Sequence, residues 1–199
     1  MDESVRRALA RWPGVPDCYG WLRLDARGNW RVRDERGSGA GDAFSRITNP
    51  GLVEFVNRNY IRGDDGRYYF QNGPQRVFVE CEYTPYVYRL SDDLAALLAH
   101  TGAPCTGLHG LLVDEDGALL LDAASGPGVL LDRDLPALLT RLRDTNGRAV
   151  EPEDLLELPA RPAAPVILTG FGATVRVEAV RRAAVARIFG FNPQPAANG

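Results

Sequence analysis

The residues best suited to chemistry are few: His100, Cys105 and His109 fall in one short segment, with Asp114 just beyond them. Together they offer metal donors, but a structural zinc site takes four well-aimed ligands, usually in tight pairs. Here the donors are scattered, so the expectation is no metal and no cofactor, only turn histidines beside a half-buried thiol. A thiolate nucleophile would need Cys18, Cys81 or Cys105 to meet His100 or His109 in space. Cys81 sits on the apolar side of an alternating run, which marks it as a core residue. Ser38 and Ser125 lie in Gly- or Pro-rich loops without the strand-to-helix turn of a nucleophile elbow. Gly37-Ser-Gly39-Ala-Gly41 and Gly170-Phe-Gly172 open no helix, so neither reads as a phosphate cradle. Glu80 with Glu82, and Asp64 with Asp65, read as solvated edges, and Arg62-Gly-Asp64 as part of a turn. No catalytic residue is nominated on these grounds.

Composition narrows the field further. The 199 residues are 45% hydrophobic and 25% charged, enough for one large core or two small ones. The 23 basic residues are all arginine and nearly balance 26 acidic ones, for a formal charge of −3. Without lysine there is no Schiff base, no phosphate-loop lysine and no Ser-x-x-Lys pair. No basic block stands out, which argues against nucleic acid or an anionic membrane as partner. Three widely spaced cysteines do not form a disulfide framework. With no hydrophobic signal core near Met1 and no apolar run long enough to span a bilayer, the expected location is cytoplasmic.

One constellation rises above this background. Trp12, Tyr19, Trp21 and Trp30 cluster near the start, Arg58-Asn-Tyr60 ends a helical pattern, and Tyr69-Phe-Gln-Asn72 with Gln75-Arg76 surrounds the next turn. Aromatics beside Arg, Asn and Gln can line a ligand or peptide pocket; they can equally fill a core. The candidate ligand-binding residues are Trp21, Arg58, Gln71, Asn72 and Arg76. An arginine presents five donors and a permanent charge, so the partner they imply is a small anion or a peptide.

The elements that must position these residues follow from periodicity. Val5, Leu9 and Trp12 share a helical stripe that Pro13 ends. Trp21–Leu24 and Trp30–Arg33 flank an Asp25-x-x-Gly28 turn as a hairpin. Thr48 or Asn49 can cap a helix over 48–60 with Pro50 in its first turn and Leu52, Phe55, Val56 and Tyr60 as its apolar stripe. Strands follow at 67–70, at 76–83 with Val77, Val79, Cys81 and Tyr83 on one face, and at 86–90. Residues 93–100 fit a short helix. Leu111–Val113 and Ala118–Leu121 form a hairpin about Asp114-x-x-Gly117, a helix spans 135–144 behind Asp132 or Asp134, and 166–168 pairs with 174–177. A last helix runs from Val180 to Phe189, and 191–199 reads as a loose tail. Hairpins with a few covering helices define an α+β fold in which a hairpin, helix, hairpin plan is used twice. The expected divisions are an N-terminal helix at 1–15, a first unit at 16–90 and a second at 91–199.

Trp30-Arg-Val-Arg33, Asn49–Tyr60, Asp65-Gly-Arg-Tyr-Tyr69, Arg76-Val-Phe-Val-Glu80 and Thr84-Pro-Tyr86 resemble a family of uncharacterised proteobacterial proteins of unknown function. The resemblance covers residues 14–90 and returns at Gly172–Phe191; residues 105–160 depart from it. It implies repeated strand and helix motifs, a half-barrel like that of pleckstrin-homology domains, and a paired strand at 93–101 where periodicity suggests helix. It carries no catalytic residues, and the signalling or ligand-binding role it suggests rests on fold analogy. The reading is therefore a non-enzymatic binding module. The alternatives are a small hydrolase using a cysteine or carboxylate, and a structural subunit of a homo-oligomer.

Overall fold

The computed structural model describes residues 1–34, 44–158 and 165–197. The expected Gly-rich loop around Ser38 lies outside them, as does most of Pro159 to Pro165, which reads from sequence as a connector. The chain divides into two compact units, one of residues 1–85 with 190–199 and one of residues 86–189.

The first unit contains α1 (Glu3–Arg11), β1 (Cys18–Leu24), β2 (Trp30–Arg33), β3 (Phe44–Arg46), α2 (Pro50–Arg58), β4 (Tyr60–Arg62), β5 (Tyr68–Asn72) and β6 (Gln75–Cys81). Its six strands run in the order β3-β2-β1-β6-β5-β4. All neighbours are antiparallel except β1 and β6, which pair in parallel. Asn49 caps α2 by accepting from the Leu52 amide, and Pro50 occupies the first turn as expected. The helix lies on one sheet face: Phe55 meets Phe70 edge-on, and the buried Trp30 indole N–H donates to Asn57 Oδ1 at 2.7 Å.

The second unit contains β7 (Tyr86–Leu90), β8 (Leu97–Ala99), β9 (Leu108–Val113), β10 (Leu119–Ala123), β11 (Gly128–Leu130), α3 (Leu135–Leu139), β12 (Leu142–Arg143), α4 (Pro152–Leu156), β13 (Val166–Gly170), β14 (Ala173–Ala179) and α5 (Val185–Phe189). Its eight-stranded sheet curls into a half-barrel in the order β12-β13-β14-β9-β10-β11-β7-β8. Removing β7 and β8 leaves β11-β10-β9-β14-β13-β12, the strand order of the first unit in the same chain sequence. Here too the two arms join through a parallel pair, β9 with β14, and a helix follows the third strand. The α+β fold with its plan used twice is thus a duplicated six-stranded topology.

The turns repeat as well. Asp25, Asp114 and Asp144 each accept on Oδ1 from the amides two and four residues ahead, at 2.8–3.0 Å. Each aspartate's own amide donates to the carbonyl four residues on, at 3.0–3.1 Å. A carboxylate that satisfies two amides from inside a tight turn lets the strands meet without exposing backbone.

Several expectations are corrected. Residues 97–99 form a strand, as the resemblance implied, because the chain from Ser91 to Ala96 is a turn with Leu94 at φ 59°. The helix placed at 135–144 stops at Leu139, with Leu142 paired to Leu168, and Asp134 accepts from the Leu90 amide instead of capping. On α2, Leu52 faces solvent and Tyr60 belongs to β4; Val56 is the buried member of the stripe. Trp12 is likewise exposed, with the Arg11 guanidinium over its ring. The last helix starts only at Val185, after β14 and a tight turn at 182–184. The tail is not loose along 191–193: Phe191 is buried, the Asn192 amide donates to Gly66 O at 3.0 Å, and Pro193 O accepts from the Cys81 amide at 2.8 Å.

Burial alone would raise the Asp25 carboxyl, but hydrogen bonds from Asn29, Arg31 and Arg27 outweigh it and hold the group below the usual carboxylate range. Its charged form therefore stabilises the fold fully above the ordinary value near 4, and that stability is lost as pH falls through the lower folded value. Asp25→Asn should cost about 1–2 kcal/mol at pH 7. Urea denaturation at pH 7 and near pH 3 should show the penalty narrowing in acid; an equal penalty at both would mean the charge is not its source.

Candidate functional site

β4, β5 and β6 position the site. Tyr69 faces Phe78 and Gln71 faces Arg76 across the β5–β6 ladder, so these four share a sheet face, while Phe70 points to the α2 side. At the end of that ladder the β4–β5 turn closes a cleft of ≈ 240 Å³ lined by Arg62, Gly63, Asp64, Asp65, Arg67, Tyr69, Arg76 and Phe78.

The wall of the cleft is built around Phe78, which is only 2% exposed. Tyr19 stacks parallel to it at 4.6 Å, Tyr69 tilts against it at 5.6 Å, and the Arg67 guanidinium lies 4.5 Å from its centroid. Arg67 is fully engaged: it donates to Asp65 Oδ2 at 2.6 Å and to Tyr19 Oη at 3.1 Å. The hydrogen bonds from Arg67, its backbone amide first, hold the Asp65 carboxyl below the usual range, and Asp65 in turn raises the Arg67 guanidinium. This pair is exposed enough to contribute orientation more than stability.

The other charges differ. Arg76 rests over Tyr69 at 5.2 Å and meets no carboxylate among the described residues. Among the described residues Arg62 reaches only the Gly190 carbonyl, at 3.4 Å, and its pairing with Tyr68 puts it on the sheet face away from Tyr69 and Arg76. Asp64 is exposed and pairs with no described residue. The acids that could have neutralised Arg76 are engaged elsewhere: Glu80 with Arg23 at 2.7 Å, and Glu82 with the Ala26 amide.

Of the residues nominated from sequence, Arg76 lines the cleft. Gln71 lies opposite it in register, but is 1% exposed and donates to Gly73 O at 2.9 Å, closing the hairpin. Asn72 is exposed beside the same turn and alternates toward the other face. Trp21 is 37% exposed and, by alternation with Arg23 opposite Glu80, lies on the Arg76 face outside the cleft. Arg58 ends α2 and pairs with Asp2 at 3.3 Å and Glu54 at 3.8 Å. Closeness along the chain suggested a surface shared by Arg58 and Arg76, yet the sheet lies between them. Arg62, Asp64 and Arg67 were not nominated, Arg62–Gly66 reading as a plain turn and Arg67 as the start of a strand; the signal was arginine and aromatic alternation continuing from Arg67 and Tyr69 into Arg76 and Phe78.

The other candidates for chemistry have structural surroundings. His100 Nδ1 accepts from the Val87 amide, and Asp114 pairs with Arg182 at 3.4 Å. Among the described residues no group of three or more His, Cys, Asp or Glu is placed to hold a metal. Burial raises the Cys18 and Cys105 thiols and pushes Cys81 up to about 12, opposite to the shift that activates a thiolate.

A duplicated α+β sheet with a polar cleft at one turn describes a class of fold, and comparison with known proteins narrows it to a family. The chain belongs to the family DUF2944, described as "Protein of unknown function (DUF2946)", whose model matches residues 1–196. No curated protein matches it. It is similar in fold to the crystal structure of a DUF1285 family protein from Silicibacter pomeroyi DSS-3, at 14% identity and a TM-score of 0.53, over 86% of this chain and 87% of that one. A DUF1285 family protein from Shewanella baltica OS155 aligns at 15% identity and a TM-score of 0.38, over 56% and 84% of the two chains. No helix among the described residues is long and apolar enough to cross a membrane.

The turn itself depends on Gly66. It has φ +77°, and a Cβ there would lie 2.5 Å from the Gly190 carbonyl oxygen that also receives Arg62. Gly66→Ala should cost at least about 1–2 kcal/mol from the left-handed backbone alone, with the clash added. Thermal melting checks this; an unchanged midpoint would show that the 190–193 segment does not hold the turn.

Proposed function

We propose that the protein is a non-enzymatic binding module whose ligand is a small anion seated in the cleft against Arg76. The observation carrying this reading is the Arg76 guanidinium, held over the Tyr69 ring on the wall of the cleft with no carboxylate partner among the described residues. Asp65, Glu80 and Glu82 are engaged elsewhere, which leaves the exposed Arg76 open to an anion from solution. Guanidinium offers a planar fork of donors suited to carboxylate or phosphate. The Tyr69 ring holds Arg76 in place, and the Tyr19–Phe78–Arg67 stack keeps the wall rigid, so little ordering is needed on binding. Three free thiols support a cytoplasmic setting.

The test is calorimetric titration of the whole chain with inorganic phosphate, glutarate and a set of α-amino acids. At least one should bind in the millimolar range or tighter, and Arg76→Ala should weaken it by about tenfold. The side chain is exposed, so the melting temperature of the ligand-free variant should stay close to that of the parent. Equal affinity in the variant, or no binding by any of these compounds at about 10 mM, would contradict the reading.

A further inference from the structure

The sheet face that carries Arg76 continues over β1, β2 and β3, where strand register sets like charges side by side. Arg23 lies directly opposite Arg31, and Arg31 directly opposite Arg46. Three arginines thus form a row across neighbouring strands spaced roughly 4.8 Å apart. Like charges facing one another on a sheet destabilise it. Two of the three are answered from within: Glu80 pairs with Arg23 at 2.7 Å and Asp25 with Arg31 at 3.0 Å. Arg46 is exposed and meets no carboxylate among the described residues. The same holds for Arg33, which sits opposite Phe44 in the next row and donates to the Gly20 carbonyl. The Phe44 ring carries two of these cations, with the Arg23 guanidinium 3.9 Å and the Arg33 guanidinium 5.1 Å from its centroid. Trp21 is 37% exposed and, two residues before Arg23 on β1, shares the face.

We infer that this face of β1–β3 binds single-stranded nucleic acid, with phosphates on Arg33, Arg46 and the half-exposed Arg31 and a base stacked on Trp21. The local excess of guanidinium over carboxylate is the complement of a polyanion, and the planar guanidinium fork suits phosphate. A lone small anion meets one of these cations, whereas a polymer crossing the strands meets the row and relieves its repulsion. The rings decide between polymers. Bases stack on aromatic faces and on guanidinium planes, and a sheet presenting both is a platform for an unpaired strand. An acidic peptide would match the charges and leave the Trp21 indole in water. The sequence hides this surface because the four arginines are scattered along the chain and only strand pairing collects them. The formal charge of −3 does not oppose it, since charges beyond about 10 Å are largely screened at 0.1 M salt. The surface shares no residue with the cleft against Arg76, so the two readings stand or fall separately.

The test is fluorescence anisotropy of an end-labelled oligouridine of about 12 nucleotides, titrated with the whole chain. Binding should be micromolar at about 50 mM salt and weaken steeply as salt rises. Arg33→Ala with Arg46→Ala should weaken it at least tenfold and flatten the log–log salt slope by about 1.4, or 0.7 per lost phosphate contact. Trp21→Ala should weaken it by about tenfold with that slope unchanged, and Trp21→Phe should restore most of the affinity. Arg33, Arg46 and Trp21 are exposed, so melting temperatures should stay close to that of the parent. No binding at about 100 μM protein, or equal affinity in the arginine variant, would overturn the inference. A polyglutamate peptide or phosphatidylserine vesicles binding as tightly as the oligonucleotide, with Trp21→Ala silent, would also overturn it and give the face to an acidic peptide or an anionic membrane.

Discussion

Parallel pairing of β1 with β6 holds the first unit together, because it joins two antiparallel arms that are otherwise local meanders. Parallel neighbours need a long crossover, and here β2, β3, α2, β4 and β5 all intervene. That excursion carries α2 across one face of the sheet, where Trp30, Val56 and Phe70 gather, and leaves the other face to the arginines and their supporting rings. The second unit solves the same constraint in the same way, with β9 beside β14 and the helix after β11. Two copies of one six-stranded topology, each with an aspartate-plugged first hairpin, account for most of the described chain.

The cleft is a local departure from that common plan. In the second unit the turn after β12 keeps its aspartate, Asp144, and is followed by α4 before β13 begins. In the first unit the corresponding turn has Gly63 in that place and passes straight into β5. Gly66 and the 190–193 segment then fix the turn, and the Phe78 stack fixes the wall beside it. The cleft that results is polar, and the proposed binding role rests on that polarity.

What could be read from sequence was whatever depends on neighbours along the chain. Alternation about Asp25 and Asp114 gave both hairpins, and Asn49-Pro50 gave the start of α2, because those signals are local. The parallel joins and the full duplication were invisible, since they link strands far apart whose residues share little identity. Leu135–Leu142 carries a helical spacing that pairing of Leu142 with Leu168 overrides. Phe78 was rightly set on the face opposite Val77 and Val79, yet it is buried there by Tyr19 and Arg67, which only register could reveal. The same limit governed the site: Arg76 was nominated for its chemistry, whereas Arg58 was joined to it by chain proximity across a sheet that separates them.

The proposed recognition takes place on the Arg76 face of the first sheet and not on the helix face. Chemical-shift mapping of ¹⁵N-labelled protein during addition of L-glutamate tests it most directly. The expected perturbations concentrate at residues 63–69 and 76–78, including the arginine Nε–H signal of Arg76, with Arg58 and Asp2 unmoved. Perturbations centred on Arg58, Asp2 and the exposed side of α2, with the 62–69 turn silent, would contradict it.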